Sequence, residues 1–382
     1  MRGRLSLSSD IFVISNYELQ YFKMMDVMRC LIRLECKFKN LLKISCMFLV
    51  ALLVSCNDAP KTFPDLFTDK ITQKLCAVEK FPTDSLGEPD AILAVDKYWF
   101  FLEPKLKKQL TCYNVLNNSF CHKLSKGNGS DEVIGVQTIG LGKSSNEIYI
   151  TDIMKQNILR SVVGDSISEF SIDRKWDKFR FCDVAYDDDV EFAVLVGENK
   201  RFGIRKKDEI RLFGENVGIS GVSPEVVSQV LQGPCFVSPI EKKIVWFSVY
   251  GDVMEVYDYT DLDNIVLVES NVVCLPVFDK SFSYNKGVID LRTKLGVSSL
   301  TATKNYIYAL YNKRNLKEAL ENRNDAFIAN TILLFTWDGK PYKMIEVDKR
   351  IKSITYDEKN NVILCLGLNE NLDYTVFYFP AI

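Results

Sequence analysis

The chain has 382 residues, 12% of them aromatic, with 48 Lys+Arg against 50 Asp+Glu and a formal net charge of −2. It carries no basic block able to displace counterions from a phosphate backbone, so no nucleic-acid partner is expected. With His122 as the only histidine, a Ser-His-Asp triad or a histidine-rich metal site is nearly excluded.

The first 27 residues carry Asp10, Glu18 and Asp26 and read as sequence upstream of the true start. A start at Met28 leaves 28 residues before Cys56, an ordinary signal length. Within that stretch Lys37, Lys39 and Lys43 precede a mostly apolar run from Ile44 to Ser55. The run is too short for the roughly 20 residues a membrane-crossing helix needs. The order basic, apolar, small residue is that of a secretory signal. Leu53-Val54-Ser55-Cys56 resembles the lipobox of bacterial lipoproteins. That resemblance implies cleavage before Cys56 and a diacylglycerol plus an N-acyl chain on it, and stable anchoring needs more than one chain. Residues 1–55 are thus expected to be removed, leaving 40 Lys+Arg against 46 Asp+Glu in an acidic mature chain.

Residues 56–70 are polar, contain Pro60 and Pro64, and read as a tether. From residue 71 to 382 the pattern changes to short apolar or alternating runs separated by turn residues. Asp90–Val95, Tyr98–Leu102, Gln109–Val115 and Ser119–Leu124 make one four-stranded antiparallel set, with Asn117-Asn118 read as a two-residue turn. The unit recurs from Gly135, Phe181, Cys235, Val297 and Ile351, at spacings of 45, 46, 54, 62 and 54 residues. In the second set the fourth strand is expected at Ser166–Ile172. Such periods with four strands each indicate an all-β fold, a six-bladed β-propeller; a pair of β-sandwiches is the alternative. The last set offers only three strands, so the N-terminal stretch Ile71–Glu79 is expected to supply the fourth and close the ring. Two inserts break the period. Asn315–Glu321 opens like a capping box, and Pro224–Leu231 places a proline at a helix start. Each reads either as a binding element or as a packed lid.

Several stretches resemble the six-bladed, TolB-like propeller lipoproteins encoded in many copies by gut bacteria with an outer membrane. They are Gly87–Asp90, Ser125–Ser130, Tyr306–Tyr311 with the helical insert, Ile332–Pro341, Asp348 and Ile354–Glu358. The resemblance spans roughly 71–382. It implies the propeller fold and an envelope location, anchored by lipid and expected at the outer membrane, and brings no assigned activity.

No catalytic signature emerges. Asp187 and Asp189, and Asp258, Asp261 and Asp263, are weak Ca²⁺ candidates without full EF-hand spacing. Seven cysteines follow Cys56, none in a C-x-x-C pair. A two-residue turn at Asn117-Asn118 sets Cys112 and Cys121 diagonally, roughly 7 Å apart at Cβ. A disulfide wants about 3.8 Å, so no bridge is expected there. Three functions fit. The first is a non-catalytic binding or scaffolding module for another envelope protein. The second is a carbohydrate or small-ligand binder using tunnel-end aromatics such as Trp99, Trp246 or Trp337. The third is a Ca²⁺-dependent hydrolase or lyase. A glycan-dependent or a calcium-dependent thermal shift separates the last two from the first.

Overall fold

The computed structural model describes residues 61–78, 81–82, 85–129, 132–278, 289–321 and 327–382. The expected signal segment and Cys56 lie outside them. No helix among the described residues is long and apolar enough to cross a membrane.

Two short strands come first, β1 (Lys70–Gln73) and β2 (Cys76–Ala77). Blade one follows as β3 (Ala91–Val95), β4 (Tyr98–Leu102), β5 (Lys108–Asn114) and β6 (Ser119–Ser125). Blade two holds β7 (Val136–Leu141), β8 (Glu147–Asp152), β9 (Asn157–Val162) and β10 (Ser171–Lys175). Blade three holds β11 (Phe181–Asp187), β12 (Val190–Leu195), β13 (Lys200–Lys206) and β14 (Glu209–Glu215), and helix α1 (Pro224–Val230) comes after it. Blade four holds β15 (Cys235–Ser238), β16 (Lys243–Phe247), β17 (Asp252–Asp258) and β18 (Val266–Cys274). Blade five opens with β19 (Val297–Ala302) and β20 (Tyr306–Tyr311), then helix α2 (Leu316–Glu321) and β21 (Ala329–Thr336). A 17-residue strand, β22 (Pro341–Asp357), ends blade five and begins blade six, which continues with β23 (Val362–Leu368) and β24 (Tyr374–Pro380).

Each blade is an antiparallel meander whose first strand is innermost. The innermost strands succeed one another in chain order, and the second half of β22 lies against β3, so the ring is complete. Among the described residues, no strand ladder passes from one blade to the next apart from the shared β22, although the β16–β17 turn bonds the approach to β19, as in the Val297 N–H to the Ser248 carbonyl at 3.1 Å. Apolar packing does. The core divides into six clusters, one in each seam between neighbouring blades. Both faces of most strands are therefore buried, which is why β4 is apolar throughout instead of alternating.

The expected N-terminal contribution is present: β2 pairs antiparallel with β24 as the fourth strand of blade six. Its companion β1 pairs in parallel with the first half of β22, adding a strand to blade five. Residues expected in the tether are already inside the fold. Phe63–Leu66 form a 3-10 turn that the Asp65 carboxylate caps by accepting the Thr62 N–H at 2.9 Å. Phe63 and Phe67 are buried among Phe247, Tyr311 and Phe335, so the packed region begins by residue 63.

Other expectations shift. The fourth strand of blade two lies at Ser171–Lys175, because Val163 and Ile167 form a tight bridge and delay it. The β5–β6 connection is four residues, Val115–Asn118, so Asn114 pairs with Ser119. Asn114 accepts the Leu116 N–H at 3.0 Å and Asn117 accepts the Ser119 N–H at 3.2 Å, while Asn118 takes the left-handed conformation. The consequence is a changed register: Cys112 stands directly opposite Cys121.

Both inserts are helical. In α2 the capping box closes in both directions, Glu318 N–H to Asn315 at 2.9 Å and Asn315 N–H to Glu318 at 3.0 Å. In α1, Val227 and Val230 enter the seam between blades three and four, and the Ser228 hydroxyl donates to the Leu195 carbonyl at 2.9 Å. It packs as a cover.

Candidate functional site

The six innermost strands surround a channel of about 780 Å³. As sheet edges they carry backbone N–H groups without strand partners, and buried unpaired donors are costly. Side chains of the preceding blade answer several of them. Ser299 accepts the Ile354 N–H at 3.1 Å and Thr301 the Tyr356 N–H at 2.9 Å. One blade further on, Ser353 accepts the Ile92 N–H at 3.3 Å and Thr355 the Ala94 N–H at 3.4 Å. Between blades three and four a carboxylate takes the same role, with Asp183 accepting the Cys235 N–H at 2.9 Å. Hydroxyls at alternate positions of an inner strand thus reach across the seams from blade five to six and from blade six to one.

Asp183 is the most unusual group on the wall. It accepts a second backbone N–H, from Val184 at 2.9 Å. Even so, burial pushes its carboxyl up to about 6. Outside the channel, between blades four and five, Asp252 is likewise pushed up to about 6 by burial, though it accepts the Phe63 N–H at 2.9 Å and the Tyr311 hydroxyl at 3.0 Å. Both folded values exceed the ordinary 3.8, so the native state holds these protons more tightly than the unfolded chain. That contribution is complete below about pH 3.8 and is lost as pH rises through about 6, amounting to about 3 kcal/mol per group at most. We expect the stability difference between wild type and Asp183→Asn to shrink between pH 4 and pH 7. Urea unfolding across that range measures it, and a difference independent of pH would contradict the assignment.

The inner-strand hairpin turns form one mouth of the channel, where Asp96, Lys143, Asp188, Glu358 and Lys359 mix both signs of charge. Asp96 and Lys359 pair at 3.3 Å between blades one and six. Deeper, the wall alternates hydroxyls with apolar groups such as Leu93, Ile139 and Leu300, and Tyr149 donates to the Val184 carbonyl.

The carboxylates singled out in the sequence do not converge. Asp187 is buried between blades three and four, taking the Lys242 ammonium at 2.6 Å and the Tyr259 hydroxyl at 2.9 Å. Asp189 is exposed in the turn beyond it. Asp258 accepts the Thr260 N–H at 2.8 Å, Asp261 the Asp263 N–H at 2.9 Å, and Asp263 pairs with Arg211 at 2.7 Å. Among the described residues no three of His, Cys, Asp and Glu are grouped to hold a metal ion. Trp99, Trp246 and Trp337 were expected near the tunnel ends, but all three are buried in the seams and none lines the channel. His122 is exposed on β6, its Nδ1 3.0 Å from the Thr111 hydroxyl. Asp183 went unnoticed in the sequence, although an acid inside the run Phe181–Tyr186 was the available signal.

No match emerges among curated proteins. Among solved structures, a DUF4221 family member from Bacteroides vulgatus aligns at 11% identity and a TM-score of 0.47, covering 81% of this chain and 96% of that one. A putative exported protein from Bacteroides fragilis aligns at 11% identity and 0.49, covering 81% and 98%. A luciferin-regenerating enzyme aligns at 10% identity and 0.48, covering 81% and 95%. The TolB-like 6-blade propeller-like family matches residues 103–359, two thirds of the sequence. With six blades in a closed ring and that match across their greater part, the chain belongs to the TolB-like six-blade propeller family.

Proposed function

We propose that the chain is a non-catalytic binding module of the cell envelope, held to the outer membrane by lipid on Cys56, which offers the mouth of its channel to another envelope protein. At the general level of a binding or scaffolding module the propeller fold supports this directly. The observation that carries the finer reading is the channel wall. Hydroxyls, apolar side chains and the edges of six strands surround an opening rimmed by exposed charges. A loop or chain end of a partner entering there meets both hydrogen-bonding groups and apolar surface. A second reading, a small organic ligand, is favoured by volume, since about 780 Å³ falls within the range of ligand pockets.

A photo-crosslinking residue at Leu141, which is exposed and lines the mouth, tests both. In intact cells it is expected to capture a recurrent partner, while the same residue at Leu372, exposed away from the channel, does not. Capture of a small molecule moves the assignment to the second reading, and equal patterns at both positions reject the channel. In the same cells Cys56→Ser is expected to abolish labelling by a fatty-acid analogue and to release the protein from the membrane fraction. Unchanged labelling would end the anchor assignment.

A further inference from the structure

The register of the outer hairpin of blade one places two thiols where a covalent bond can form. Cys112 and Cys121 stand directly opposite one another on β5 and β6. Directly opposite residues of an antiparallel pair have Cα atoms about 4.5–5.5 Å apart. That separation lies inside the roughly 4.4–6.8 Å window of disulfides. Both are free thiols, and Cys121 is the largest influence on the Cys112 thiol. Cys112 is buried in the seam with blade two, whereas Cys121 faces solvent.

We propose that Cys112 and Cys121 are a thiol–disulfide pair, oxidised by exchange with an external disulfide, which staples the two outer strands of blade one. In the first step the Cys121 thiolate attacks one sulfur of the external disulfide, forming a mixed disulfide and expelling a thiolate. That thiolate takes the proton from Cys112. Cys112 then attacks the Cys121 sulfur, the protein disulfide forms, and the second external thiolate leaves. Two protein thiols are oxidised and one external disulfide is reduced to two thiols. The division of labour follows from exposure and charge. Cys112 and the nearby Lys123 ammonium bring the Cys121 thiol down to about 7, and Cys112 is pushed up. A thiol near 7 is close to the optimum for attack at neutral pH. The staple does not depend on the anchor or on what the channel binds.

The test uses the full chain and oxidised glutathione, followed by alkylation in denaturant and mass mapping of unreduced peptides. The expected product is a peptide pair joining Cys112 to Cys121 and lighter by two hydrogens. Under the same treatment Cys121→Ser is expected to leave Cys112 fully alkylated. Three results would overturn the proposal: both thiols alkylated after oxidation, a glutathione adduct on Cys121 that Cys112 never resolves, or a bridge from either residue to another cysteine.

Discussion

Phe63→Ala is expected to destabilise the propeller by about 3–5 kcal/mol, the range for deleting a fully buried aromatic side chain. The ring has no solvent exposure and sits 6.0–6.2 Å from Phe247, Tyr311 and Phe335, so its removal opens a hole that three blade side chains must leave unfilled or collapse around. In thermal unfolding the loss corresponds to a fall of about 5–12 °C. Leu66, half-buried in the same turn, supplies the control. Leu66→Ala should cost under about 1.5 kcal/mol. If Phe63→Ala proved as mild as Leu66→Ala, the N-terminal turn would not be part of the folded unit.

The second large effect lies in the seam between blades three and four. Arg201, 1% exposed, meets Glu255 at 3.2 Å, stacks on Trp246 at 3.9 Å and donates to the Leu231 carbonyl at 3.2 Å. Glu255 also accepts the Tyr257 hydroxyl at 3.0 Å. Burial already raises the Glu255 carboxyl and lowers the Arg201 guanidinium, so each charge depends on the other. Arg201→Met is expected to cost about 3–5 kcal/mol at neutral pH, because Glu255 is left as an unpaired buried anion. Two further outcomes separate this from lost packing. The deficit should shrink as pH falls and Glu255 protonates, and adding Glu255→Leu to Arg201→Met should recover much of the stability. Urea unfolding of the three variants at pH 5 and pH 8 gives both. A double variant no better than the single one would assign the cost to the lost stacking on Trp246.

Much of this architecture was legible from residue types alone, because a propeller blade is built from local instructions. The starts at Phe181, Cys235 and Val297 coincide with the inner strands. Where the reading failed, the deciding interaction was distant or the turn was ambiguous. Asn117-Asn118 suits a two-residue turn and equally the end of a four-residue one, and only tertiary context chooses. The sixth set was expected to open on a separate strand at Ile351. In the structure Asp348 accepts the Leu75 N–H at 2.8 Å, a partner 273 residues away, and the strand runs through. Phe63 gave no signal because its environment is assembled by blades four and five. The buried acids Asp183, Asp252 and Glu255 were hidden among the many acids of the sequence. What sets them apart is the seam each one faces.

The pairing of β2 with β24 has a consequence for the order of events during folding. Cys76 and Ala77 are among the first residues of the folded unit to be synthesised, and their partners Phe377 and Tyr378 are nearly the last. Blade six therefore lacks its outer strand until the whole chain is available, and the free edge of β24 is a template for any other extended segment. Contacts so far apart in sequence slow folding and lengthen the life of open, aggregation-prone intermediates. Each of the inner blades can form from its own hairpins as it emerges. The final clasp is a race between the chain's own N-terminal strand and that of a neighbouring copy, and crowding at high expression tilts the race towards strand-swapped oligomers.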